Sequence, residues 1–69
     1  MERLFKGYTI QIEDNLDSTY RVNVYAPVSK ENKNLILLEW YIDQGSRDIM
    51  QAMHKAKVSL RKALNDEKE

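Results

Sequence analysis

The stretch Leu35-Ile36-Leu37-Leu38-Glu39-Trp40-Tyr41-Ile42-Asp43-Gln44-Gly45-Ser46 marks the point where the apolar period of the chain changes. Before Gly45, Ile36, Leu38, Trp40 and Ile42 alternate, the period of an extended strand. Beyond it, Ile49, Met53, Ala56, Leu60 and then Ala63 or Leu64 recur at steps of three and four, with Ala52 alongside, which is one stripe of a helix. Working back from this boundary, Tyr20, Val22, Val24 and Ala26 alternate, as do Tyr8, Ile10 and Ile12. The pattern predicts a single α+β domain over residues 1–69. It is a three-stranded antiparallel β-meander with one C-terminal α-helix packed on one face, a βββα arrangement.

Local signals set the expected boundaries. The first strand is expected from about Phe5 to Glu13, with Gly7 as a candidate bulge, and Asp14 to Ser18 supply turn chemistry. The second strand runs from about Thr19 to Ala26, where Pro27 withdraws a ladder donor. A polar segment, Val28 to Asn34, reads as a mobile surface loop. The third strand lies at the sheet edge and is apolar on both sides, since Leu35, Leu37 and Tyr41 oppose the Ile36 to Ile42 set. Ser46 is the expected N-cap, Asp48 falls in the first turn, and the helix is expected from about Arg47 to Asn65, fraying after Leu64. The expected core is Tyr8, Ile10, Ile12, Tyr20, Val22, Val24, Ile36, Leu38, Trp40, Ile49, Met53, Ala56 and Leu60.

A 69-residue domain buries a modest share of its surface, and this one has no cysteine for a disulfide and no cluster of metal ligands. Oligomerisation is the staple that remains. The longest apolar run, Leu35 to Leu38, is far below the ~20 residues that cross a bilayer, and the N-terminal residues form no secretory apolar stretch, so a cytoplasmic protein without membrane association is expected. The net charge is zero, but its halves are opposed. Residues 1–44 hold five Lys/Arg against seven Asp/Glu, a net −2. Residues 45–64 hold five basic residues against Asp48 alone, a net +4, and the tail Asp66 to Glu69 returns −2.

Few residues carry chemistry. His54 is the only histidine and falls on the helix face opposite the apolar stripe, without further metal ligands. Ser46 and Ser59 lack an accompanying base, acid and Gly-rich turn. Glu39 and Asp43 are ordinary strand acids rather than a catalytic pair. The expectation is therefore a non-enzymatic module with no cofactor and no metal. Two surfaces remain. The sheet face opposite the helix presents Tyr25, Leu35, Leu37 and Tyr41 as a candidate protein interface, either for a partner or for a second copy in a homodimer. The alternative is nucleic-acid contact through Arg21 and Asn23 on the sheet, or Arg47, Lys55, Arg61 and Lys62 on the helix. Glu13 and Glu39 oppose that second reading, since carboxylates repel a phosphate backbone.

The segments Lys6-Gly7-Tyr8-Thr9-Ile10 and Tyr20-Arg21-Val22, followed by a helix with Ala52, Ala56 and Ala63, resemble small bacterial and phage proteins of unknown function. The layout is also similar to the three-stranded DNA-binding domains of phage-type integrases and of a class of plant transcription factors. Those sheets enter the major groove and are basic, whereas this one is not. The chain resembles the N-terminal part of HicB-type antitoxins in placing a helix after a sheet, but lacks their Pro-rich stretch and acidic helix start. No functional residue carries over from these resemblances.

Overall fold

Lys6 and Gly7 both adopt positive φ, 52° and 87°, and close a two-residue hairpin of the type that matches the twist of its strands. The computed structural model describes residues 1–31 and 33–66, and this turn divides the expected first strand into two. β1 (Glu2–Phe5) and β2 (Tyr8–Asp14) pair antiparallel, with Phe5 opposite Tyr8 and Glu2 opposite Gln11. The pairing continues to the chain start, where the Met1 ammonium donates to the Ile12 carbonyl (2.9 Å) and the Ile12 N–H donates to the Met1 carbonyl (2.8 Å). The three-stranded expectation is thus corrected to four strands, and Gly7 is a turn residue rather than a bulge. A Cβ at Gly7 would meet Pro27 at an ordinary 3.5 Å, so backbone conformation rather than space calls for glycine there.

β2 leads to β3 (Thr19–Tyr25) through a loop built by its own short polar side chains. The Leu16 N–H donates to Asp14 Oδ1 (2.8 Å), and Asp17 Oδ1 accepts both the Thr19 N–H (3.2 Å) and the Thr19 hydroxyl. Leu16 and Ser18 take positive φ inside this loop. β3 then pairs with β4 (Leu37–Gln44), and the sheet order is β1-β2-β3-β4, a meander with β4 at one edge. The connecting loop includes Asn32, which lies outside the described residues.

β4 overturns the expected core. Register places Val22 opposite Tyr41, Tyr20 opposite Asp43 and Val24 opposite Glu39, so those three residues of β4 lie on the helix side. Trp40 opposes Asn23 and Ile42 opposes Arg21, on the other side. A bulge between Val24 and Tyr25 takes up one residue, so Leu37 opposes Tyr25 and lies on the same face as Trp40 and Ile42 despite its odd spacing from Trp40. Ile36, Leu38 and Trp40, expected in the core, are 47%, 54% and 56% exposed. Ile42, assigned the same inward face by its alternation, is exposed as well. A one-residue slip exchanges the faces of a strand, and a strand apolar on both sides gives alternation no means of choosing between them.

The core that does form contains Ile10, Ile12, Tyr20, Val22 and Val24 from the sheet and Ala52, Met53, Ala56 and Leu60 from α1 (Ile49–Asp66). Tyr8 and Ile49 are partly buried against it, with Phe5, Tyr41 and Leu64. Ala52 and Ala56 let the helix backbone come close to the sheet, and its contacts fall mainly on β2 and β3. The helix runs Ile49–Asp66 against the expected Arg47 to Asn65, and residues 67–69 lie outside the described residues.

The helix cap is also shifted from Ser46. Asp48 Oδ1 accepts the Gln51 N–H (2.8 Å), Gln51 Oε1 accepts the Arg47 N–H (2.6 Å), and the Asp48 carbonyl accepts the first helical bond from Ala52 (3.2 Å). Asp48 is therefore the N-cap, with Gln51 reaching back in a variant of the reciprocal capping arrangement. Asp48→Ala is expected to lower stability by about 1 kcal/mol, read as a shifted urea midpoint at unchanged slope, while Asp48→Asn retains most of the stability.

Candidate interaction surface

The alternation of β3 places Arg21, Asn23 and Tyr25 away from the helix, and the β4 register sets Ile42, Trp40 and Leu37 beside them in that order. Leu37 is 47% and Ile42 41% exposed, which together with Trp40 makes an uncharged strip along the edge of the sheet. Arg21 lies over the Trp40 ring, its guanidinium carbon 5.2 Å from the centroid, a cation–π contact that holds the indole on this face. The β2 and β1 side of the face is more polar: Glu13 opposes Arg21, and the Gln11 amide donates to Glu2 Oε1 (2.8 Å).

Asn23 sits between Gln11 and Trp40 in register and is 7% exposed. Its Oδ1 is buried without a hydrogen-bond partner among the described residues. An orphaned carbonyl of this kind costs about 1–3 kcal/mol.

Of the four residues expected to form a protein interface, Tyr25 and Leu37 are brought together, and Leu35 lies in the loop just before β4, 46% exposed. Tyr41 is corrected to the opposite face, where it packs against the core. Trp40 and Ile42 are the surface residues that sequence reasoning missed, because their alternation with Leu38 reads as an inward face. The register that turns Tyr41 and Asp43 inward sends both outward, and the bulge then brings Leu37 to the same face.

The residues of the nucleic-acid alternative are divided between two sides of the molecule. Arg21 and the buried Asn23 lie on the outer sheet face, whereas Lys55, Arg61 and Lys62 lie on α1 and Arg47 precedes it. Lys55 reaches back to Asp43, with Nζ 3.8 Å from Oδ1, so part of its charge is already answered within the fold. Asp43 is 6% exposed and also accepts the Ser46 hydroxyl on Oδ2 (2.9 Å). Ser46 thus serves a buried carboxylate rather than the helix terminus.

Between β4 and α1, Glu39, Tyr41, Asp43, Lys55 and Ser59 line an open groove of about 400 Å³. Among the described residues no three His, Cys, Asp or Glu side chains converge to hold a metal ion. No helix of the described residues is long and apolar enough to cross a membrane. No family model matches the chain, and neither curated proteins nor solved structures give a significant match.

The groove shapes the alkaline behaviour of the fold. Burial, then Asp43, then Glu39 raise the Tyr41 phenol above its usual value. Tyr20 is raised by burial and then by Asp14, Asp48 and Asp43. Above about pH 10 the unfolded chain releases these protons while the folded chain still holds them. The stability contributed by the two phenols, present in full below that pH, therefore falls as pH rises through the raised folded values. Urea midpoints measured from neutral pH into this range are expected to decline more shallowly for Tyr41→Phe than for the native chain.

Proposed function

We propose that this protein is a non-enzymatic interaction module that binds another protein surface through the outer face of its sheet. The supporting observation is the uncharged strip of Leu37, Trp40 and Ile42, flanked by Tyr25 and left open on the side that α1 does not cover. Aromatic and aliphatic anchors beside an arginine are the composition of a protein interface core. The chain makes a poor phosphate platform on this face, because Glu2 and Glu13 offset Arg21.

A nucleic-acid reading draws on the +4 segment of residues 45–64, where Arg61 and Lys62 are exposed on the helix. Site-specific photocrosslinking in cells separates the two readings. A benzophenone side chain replacing Leu37 or Ile42 is expected to give protein adducts of defined mass, and the same group at His54 or Arg61 is not. Adducts confined to nucleic acid from the helix positions, with none from the sheet, would reverse the assignment.

A further inference from the structure

We propose that the free edge of β4 takes an extended segment of a partner protein as a fifth strand, one that lays a basic side chain and, two residues away, an aliphatic one into the cleft between β4 and α1. This site is the rim of the sheet on its helix side, apart from the outer face, and does not depend on what that face binds.

The backbone of β4 determines what kind of occupant fits. Among the described residues β3 is the one strand beside it, so alternate N–H and C=O groups of Leu37–Gln44 are turned away from the sheet. A row of donors and acceptors at strand spacing is matched by another extended backbone, the mode of strand addition. The charged residues of β4 are both acids, Glu39 and Asp43, and the register turns both to the helix side. An acid so placed guards an edge against strands that bring no cation to answer it.

The cleft supplies the side-chain requirements. α1 lies over β2 and β3, which leaves the helix side of β4 open around the Lys55 to Asp43 contact. Two hollows adjoin there. One is the groove of about 400 Å³ described above, and the other, of about 170 Å³, is walled mainly by Val24, Leu38, Leu60, Ala63 and Leu64. Glu39 borders both, is exposed, and has no ion-pair partner among the described residues. On a strand added to β4, side chains on the helix side recur about every 7 Å. A cation that meets Glu39 therefore has its next same-face neighbour beside the apolar hollow.

Charge also argues against a second copy at this edge. Two-fold pairing of β4 with β4 in one continuous sheet delivers the copy's own Glu39 and Asp43 to the cleft and no cation from the strand. Like charges across a strand pair are destabilising, whereas a foreign strand with Lys or Arg on this side is drawn to Glu39.

Selection of random linear dodecapeptides on the purified full chain tests the proposal. The expected result is a consensus with Lys or Arg two residues from Leu, Ile or Val, bound with micromolar affinity by calorimetry. Methylating the backbone nitrogens of a selected peptide one at a time should lower affinity at least about tenfold at alternate residues, those that face β4, and leave it at the residues between. Glu39→Lys should lower affinity by a similar factor, and a peptide with Glu in place of its cation should recover it. Circular dichroism checks that this variant is folded, and the methylation series reads the native chain whether it is or not. Recovery of no peptide overturns the proposal, as does a consensus without a cation or an affinity indifferent to where the methyl group sits. A purified chain that sediments at twice 8.2 kDa with its β4 amides protected from hydrogen exchange overturns it too, because a second copy then holds the edge. Crosslinks at positions 37 and 42 report on the outer face, so the two readings fail by separate measurements.

Discussion

The register of β4 on β3 is the constraint from which the rest of the molecule follows. At its end Asp43 is drawn to the helix side, accepting the Ser46 hydroxyl and facing the Lys55 ammonium, which answers a carboxylate that is costly to bury alone. With Asp43 inward, pleat parity makes Tyr41 inward and sends Ile42 and Trp40 outward. Near the other end, the bulge beside Val24 restores Leu37 to the outer face. Three side chains separated by steps of three and two thus come to share one surface.

Packing on the inner side is consistent with this choice. α1 approaches β2 and β3 through Ala52 and Ala56, so the space beneath it is shallow. The aliphatic residues Ile10, Ile12 and Val22 fill it, and the phenol of Tyr41 packs beside them. An indole brought inward at Trp40 would need room that alanines held close to a sheet do not leave. The result is a two-layer plate, 15 Å in its shortest dimension, sealed on one side by a single helix and open on the other. The open side carries the largest apolar side chain of the protein, and the functional reading follows from that asymmetry.

The two sheet edges differ in the same sense. β1 is four residues long and carries Glu2 and Arg3, charged side chains that blunt an edge against further pairing. β4 is eight residues long, with no Lys, Arg or Pro within it. Its outer residues form the uncharged part of the face, so the longer edge and the apolar strip share one margin of the sheet. The basic helix segment, by contrast, spends Lys55 on Asp43 and leaves Arg21 to the other side of the plate, against the Trp40 ring.

Elements with one wet side were legible from residues alone. Tyr20, Val22 and Val24 alternate against Arg21 and Asn23, and Met53, Ala56 and Leu60 repeat at helical steps, so each names its own buried face. Turn chemistry around Asp14 to Ser18 likewise announced a hairpin, because short polar side chains bond their own backbone wherever they stand. β1 escaped notice because Glu2–Phe5 is too short for periodicity, and its pairing depends on the positive φ of Lys6 and Gly7. The face of β4, and with it the candidate surface, belonged to the tertiary structure alone. A strand apolar on both sides has two registers of similar local quality, and what selects between them is the set of partners that folding brings to it: Lys55 from the helix and the nearby Ser46 on Asp43, and the bulge opposite Val24.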